Sequence, residues 1–223
     1  MECGNDSGRR GGTGIGLAIK PNNGSIHSVY RDQYDIGQDE TIDKENVLGV
    51  VFRKEGLSVV IAKEPVQCYF CGGNSVCTGA EGVTDASTAM EHLNGREQTT
   101  ALTASLKEPS WAVNVCSNTA FGVSKGYLPA SGEMKRVLEH RTEINALMAK
   151  CGLDGLVKDH YWSSTLGPRK DSEGNGSQNV NDKINTVIGL YGDAAADGFN
   201  CQGYYWAWPF CEYDGSIVLE TEG

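Results

Sequence analysis

An α+β fold is predicted by three features of this 223-residue chain. Two β-branched runs, 47–52 and 57–62, flank the short charged stretch Arg53, Lys54, Glu55 and Gly56, which reads as a hairpin with a glycine-containing loop. An amphipathic helix is predicted over 131–150. After it, Tyr161, Trp162, Ser163, Ser164 and Thr165 read as an aromatic, hydroxyl-rich strand.

The elements follow in order. Residues 1–45 are polar, glycine-rich and without sustained periodicity, which predicts an extended arm that orders against a partner chain. Both hairpin runs are nearly continuous in apolar residues, so both faces of those strands should be covered. A loop over 64–84 holds three cysteines. Thr84 or Asp85 then caps a helix through Ala89, Met90 and Leu93, ended by Asn94 and Gly95. A short helix is expected around 100–106, and a helical or buried segment over 111–116. In the long helix, Met134, Val137, Leu138, Ile144, Leu147 and Met148 form the apolar stripe. Pro129 limits it backward, Ser131 serves as N-cap and Gly152 ends it. A polar surface loop covers 167–177. Apolar character returns over 184–191, the aromatic span 204–210 follows, and 216–219 closes as a strand. No internal repeat is present.

Composition excludes some classes. The formal net charge of -10 argues against a nucleic-acid partner, because phosphate binding needs clustered Lys and Arg. No apolar run approaches the roughly 18 residues that cross a bilayer. The first residues, from Met1 to Asp6, lack the basic end and apolar centre of a secretory signal. The eight cysteines are read as mostly free thiols, with Cys116 and Cys151 packed in the core. A bridge between Cys201 and Cys211, or within 68–77, stays open as the other reading.

The motifs point away from chemistry. Gly11, Gly12, Gly14 and Gly16 resemble the glycine box of histidine-kinase ATP-binding domains, but only ten residues precede them and the nucleotide would have no floor. Cys68 and Cys71 form a CxxC pair with Cys77 nearby, yet no second CxxC or HxxxH supplies a full zinc set. Gly72 and Gly73 place the pair in a loop rather than at the helix start that a redox dithiol prefers. His27, His92, His140 and His160 carry no metal spacing, and no Gly-x-Ser-x-Gly elbow occurs. No catalytic residue, metal ligand or cofactor is assigned, and a structural calcium or zinc has no support.

The stretch from Gly126 through Tyr127, Leu128, Pro129, Ala130, Ser131, Gly132 and Glu133 to Met134, followed by the 161–165 strand, resembles the bacterial Lcl-type domains, with their "GWxLPSxxEL … YWSST" pattern. The hairpin resembles that family's "IGVVFY … GLVVAL" opening, and Leu93 to Thr99 its "NGxxNT" turn. Leu166 and Gly167 depart from the acidic residue that usually follows, and 216–219 replaces a "VRPV"-like closing strand. The resemblance implies a C-type-lectin-like fold over 46–223, with Trp162 in the core and the strand hydroxyls bonding neighbouring loops. It implies a binding surface rather than an active site, on a bacterial cell surface or a virion. The partner would be a cell-surface glycan or protein receptor, with the arm anchoring a homo-oligomer or fibre.

The late aromatics supply the candidate contacts: Tyr204, Tyr205, Trp206, Trp208 and Tyr213. Alternation sends Tyr204, Trp206 and Trp208 one way and Tyr205, Ala207 and Pro209 the other, so one set fills the core and the remainder faces water. The loop over 169–181 would form a polar rim. Two other readings are a formylglycine-generating-type oxidase using Cys201 and Cys211, and a purely structural virion or pilus protein.

Overall fold

The computed structural model describes residues 14–37, 40, 42–71, 86–157, 159–166, 186–191, 196–200 and 203–220. Strands β1 (Gly14–Ile19), β2 (Val29–Asp32), β3 (Val47–Lys54) and β4 (Leu57–Ala62) are followed by β5 (Val66–Tyr69). Helices α1 (Ala86–Ala89), α2 (Gly95–Ser105) and α3 (Ala112–Asn118) come next. The small hairpin β6 (Ala120–Phe121) and β7 (Ser124–Lys125) precedes α4 (Ser131–Glu139) and α5 (Arg141–Lys150). Strands β8 (His160–Leu166), β9 (Thr186–Tyr191), β10 (Ala196–Asn200), β11 (Tyr204–Ala207) and β12 (Phe210–Glu212) complete the order. The class is α+β.

Two larger sheets carry the fold, in the orders β12-β4-β3-β1-β2 and β10-β9-β8-β11-β5. Pairings are antiparallel, except that β11 runs parallel to β8 at Trp206 and Tyr161. The expected hairpin is present, with a two-residue turn: Glu55 and Gly56 both take positive φ, 55° and 77°, the backbone twist that suits a tight antiparallel hairpin. Val50, Val51 and Phe52 are consecutive and all fully buried, so both faces of β3 are covered.

One bent ribbon joins the sheets. Chain direction carries β4 through Lys63, Glu64 and Pro65 into β5, and β11 through Trp208 and Pro209 into β12. Because β4 pairs with β12 and β5 with β11, the two segments turn the corner together. Ala62 N donates to Pro209 O at 2.9 Å across the bend, and the Trp208 indole donates to Ala62 O. Strands that switch sheets in this way make the corner of a two-sheet packing.

Side-chain alternation along β8 then divides the interior. Tyr161 joins the larger core, with β1, β3, β4, α4, α5 and Trp208. Trp162 points the other way into a second core with Leu102 and Leu106 of α2 and its C-terminal edge, Val113 and Cys116 of α3, and Phe70. Both rings are fully buried.

Several expectations are corrected. The arm over 1–45 is not separate from the domain: β1 lies between β2 and β3 in the first sheet, and Ile15, Leu17 and Ala18 are fully buried. A boundary at 45/46 would cut the β1–β3 pairing, which runs from Gly14 opposite Arg53 to Ile19 opposite Val47. Residues 1–13 lie outside the described residues. The 131–150 helix is two helices broken at His140, whose φ and ψ are -101° and 16°. Its imidazole is held at the break, with Nε2 2.9 Å from Glu55 Oε1 and Nδ1 3.1 Å from Glu143 Oε1. Asn94 and Gly95 start α2 instead of ending a helix, and Ala130, not Ser131, sits at the α4 N-cap. Near the C-terminus, Val218 makes only an isolated bridge to His27 in place of the strand expected over 216–219.

A candidate ligand-binding surface

Strand β11 places four consecutive residues by simple alternation. Tyr205 and Ala207 face the second core, whereas Tyr204 and Trp206 face the opposite side. Opposite them on β5, Tyr69 pairs with Tyr204 and Gln67 with Trp206. Across the other edge of β11, Trp206 is level with Tyr161. Asp159, just before β8, joins the same side through its hydrogen bond from the Trp206 indole. These five side chains, Gln67, Tyr69, Asp159, Tyr204 and Trp206, share one face at the end of the second sheet.

The face grades from interior to water. Tyr161 is fully buried, Trp206 is half-buried, and Tyr204 and Tyr69 are 54% and 51% exposed. The two tyrosine rings lie 5.0 Å apart with planes at 58°. Trp206 is fixed by its indole, which donates to Asp159 Oδ2 at 3.0 Å. Asp159 Oδ1 accepts from His160 N at 2.7 Å and lies 2.9 Å from His160 Nδ1. His160 hydrogen bonding holds the Asp159 carboxyl below its ordinary pKa, assisted by the Trp206 contact, so the group is a permanent anion near neutrality.

Tyr205 supports this face from behind. It stacks on His160 at 4.9 Å and 19°, and meets Trp162 at 4.8 Å. The Trp162 indole in turn donates to Cys68 O at 2.9 Å, tying β8 to β5 beneath the tyrosine pair. Interlocked rings of this kind keep the surface in one conformation.

The five candidate contacts therefore separate. Tyr204 is open, Tyr205 and Trp206 are half-buried supports of the same corner, and Trp208 and Tyr213 belong to the core at 1% and 4% exposure. Trp208 pins the bend of the ribbon. The Tyr213 hydroxyl donates to Gly215 O at 2.6 Å, and its backbone N donates to Ser58 O at 3.0 Å. Neither buried ring presents a face to a ligand. The polar rim over 169–181 lies outside the described residues. Sequence reasoning missed Tyr69, Gln67 and Asp159. Along the chain Tyr69 is a spacer inside the CxxC pair and Asp159 precedes a strand, so neither carries a local signal.

A second polar cluster is sealed inside. Glu133, only 3% exposed, accepts from Ala130 N at 2.8 Å and from Gly95 N, and Tyr127 Oη donates to its other oxygen at 3.4 Å. Burial pushes its carboxyl up to about 7, against the lowering effect of those donors. Nearby, Ser164 N donates to Pro129 O at 2.8 Å, and Ser131 N donates to Thr165 Oγ1 at 3.0 Å. Thr99 brackets Leu128, with Oγ1 donating to its O and accepting from its N, both at 3.0 Å. The turn before α4 is thus bonded to the Thr165 hydroxyl and the Ser164 backbone of β8, and to α2.

The remaining chemistry is quiet. Cys68, Cys116, Cys151 and Cys211 are free thiols, and they and Cys71 are buried. Burial pushes the Cys68 thiol up to about 12 and raises Cys116, Cys151 and Cys211, opposite to the shift that makes a thiol nucleophilic. Cys3, Cys77 and Cys201 lie outside the described residues. Among the described residues no group of three or more His, Cys, Asp or Glu is placed to hold a metal ion. A groove of about 380 Å³ lined by Gln33, Tyr34, Glu143 and Lys150 lies along α5. Its charged rim is already engaged, Glu143 by Lys54 at 3.0 Å and Lys150 by Ile36 O at 3.1 Å. No described helix is long and apolar enough to cross a membrane.

No family model, curated protein or solved structure matches the chain.

Proposed function

We propose that this protein is a non-catalytic recognition module built on a C-type-lectin-like scaffold. It engages a cell-surface glycan or protein receptor through the corner formed by β5, β8 and β11. The setting is a bacterial cell surface or a virion, as an adhesin or a phage receptor-binding component. The observation that carries this reading is the open Tyr69–Tyr204 pair beside an anchored Trp206 and an ionised Asp159. Exposed aromatic rings held on rigid strands lose little conformational entropy on contact, which is why they serve as anchors in recognition surfaces.

Support for the scaffold comes from the joint at Pro129 and Ser131. The Lcl-type resemblance implies strand hydroxyls bonding neighbouring loops, and Thr165 and Ser164 bond that turn through side chain and backbone respectively. The burial of Trp162 is in keeping with the same resemblance. The thiol-oxidase reading finds no support in Cys211, a buried thiol with a raised pKa.

Binding of fluorescently labelled protein to a panel of bacterial cells tests the proposal. Wild type should decorate at least one strain, and Tyr204→Ala should lose about tenfold or more in affinity, equivalent to about 1.4 kcal/mol. Equal binding by both proteins would remove the corner from the account. Binding to no strain would favour a purely structural component.

A further inference from the structure

Charge and shape at this corner narrow the ligand class. On the shared face the described side chains are three aromatic rings, one primary amide and one carboxylate, with no cation among them. The whole chain carries a formal net charge of -10. A phosphorylated, sulfated or sialylated ligand would meet the Asp159 carboxylate on this face, while His160, its 2.9 Å partner, is stacked on Tyr205 behind it. The two outermost rings of this face are about half exposed, Tyr69 on the edge strand β5 and Tyr204 on its neighbour β11. A peptide anchor residue needs a pocket to desolvate it, whereas the Tyr69 and Tyr204 rings stand about half exposed.

Resting on the recognition reading above, the geometry points to an uncharged saccharide as the ligand of this surface. A pyranose ring presents a face of C–H groups that covers an aromatic ring, and Tyr204 with Tyr69 offers that apolar area beside Trp206. Its vicinal hydroxyls need planar acceptors and donors nearby. Asp159 supplies an ionised carboxylate already held in place by Trp206 and His160, so orienting it costs little on binding. Gln67 supplies both a donor and an acceptor opposite Trp206. Binding of this kind needs no metal ion and depends weakly on salt, because no net charge is neutralised.

The test titrates the full chain with chitotetraose, maltotetraose and mannotetraose, and separately with heparin and a lysine-rich peptide. Tryptophan fluorescence and calorimetry read binding at low and high salt with EDTA present. At least one neutral oligosaccharide should bind with a salt-independent constant. Tyr204→Ala and Asp159→Asn should each weaken it about tenfold or more, and Tyr34→Ala, remote and exposed, should not. The same sugar should displace the labelled chain from cells. If Tyr204→Ala loses cell binding while all three sugars fail to bind or compete, the saccharide class is overturned and the surface stands. Heparin or the basic peptide binding at the corner instead would also overturn it. If Tyr204→Ala changes neither sugar nor cell binding, the surface itself falls, and the inference with it. Thermal unfolding of each variant confirms that loss of binding is not loss of fold.

Discussion

Two aromatic–carboxylate pairs in this molecule use the same chemistry for opposite ends. In the interior, Tyr127 donates to Glu133, which also receives two backbone N–H groups at the starts of α2 and α4. At the surface, Trp206 donates to Asp159, which also contacts His160. Burial raises the first carboxyl to about 7, whereas hydrogen bonding in reach of solvent lowers the second. The lesson is that donor pairing alone does not define a site. Glu133 uses every donor it meets to offset its own desolvation and works as a clasp between helices. Asp159 keeps solvent access and stands beside two open rings.

The largest effect that would sharpen this contrast belongs to the interior. Trp162→Ala empties a fully buried position that joins β8 to Cys68 O, and should cost about 3–5 kcal/mol in urea unfolding. A loss below about 1 kcal/mol would show that the second core is not packed as described.

Next comes the pH dependence of the clasp. The folded carboxyl of Glu133 titrates at about 7 against an ordinary 4.5, so the unfolded chain releases this proton first as pH rises. Its contribution is fully present below about 4.5, is lost as pH climbs to about 7, and stays level above. The upper bound is about 3 kcal/mol, since each pH unit separating the folded and unfolded titrations is worth roughly 1.4 kcal/mol. Glu133→Gln, whose amide can donate to Tyr127 and accept from Ala130 N, should flatten that slope in unfolding curves taken from pH 4 to 8. An unchanged slope would break the contrast between the two carboxyls.

Gly95→Ala should cost about 1–3 kcal/mol, because its Cβ would fall 2.3 Å from Glu133 Oε2 and 2.5 Å from Ala130 N. The smallest effect is expected at the surface. Asp159→Asn should change stability by less than about 1 kcal/mol, since the group is partly exposed. It should nevertheless shift the emission of Trp206, which loses its ionised acceptor.

Legibility in the sequence follows the range of the forces involved. The β3–β4 hairpin is readable because its apolar runs break only around Glu55 and Gly56, a local signal. The break in the 131–150 helix is visible in principle: no stripe residue falls between Leu138 and Ile144, where Arg141 and Thr142 interrupt the face. That gap marks the end of one helix and the start of the next, not a wider polar surface on one. The placement of β1 is hidden, because short Gly-rich Gly14–Ile19 gains its burial from β3 and β2, neither encoded in its own composition. The site is half readable. Alternation in β11 correctly separates Tyr204 and Trp206 from Tyr205, but the contributions of Tyr69 and Asp159 depend on strand pairings across more than 40 residues of intervening sequence. Trp208 falls on the side alternation assigns it, in the same core that Trp206 packs against, but its complete burial comes from the bend where the strand ends at Ala207 and the chain changes sheets.

The division between clasp and surface is tested most directly by the double variant Tyr69→Ala/Tyr204→Ala, assayed for urea stability and for cell binding in one preparation. The account predicts an unfolding free energy within about 1 kcal/mol of wild type and cell binding reduced beyond tenfold. A variant that loses several kcal/mol of stability, or one that binds cells as wild type does, would contradict it.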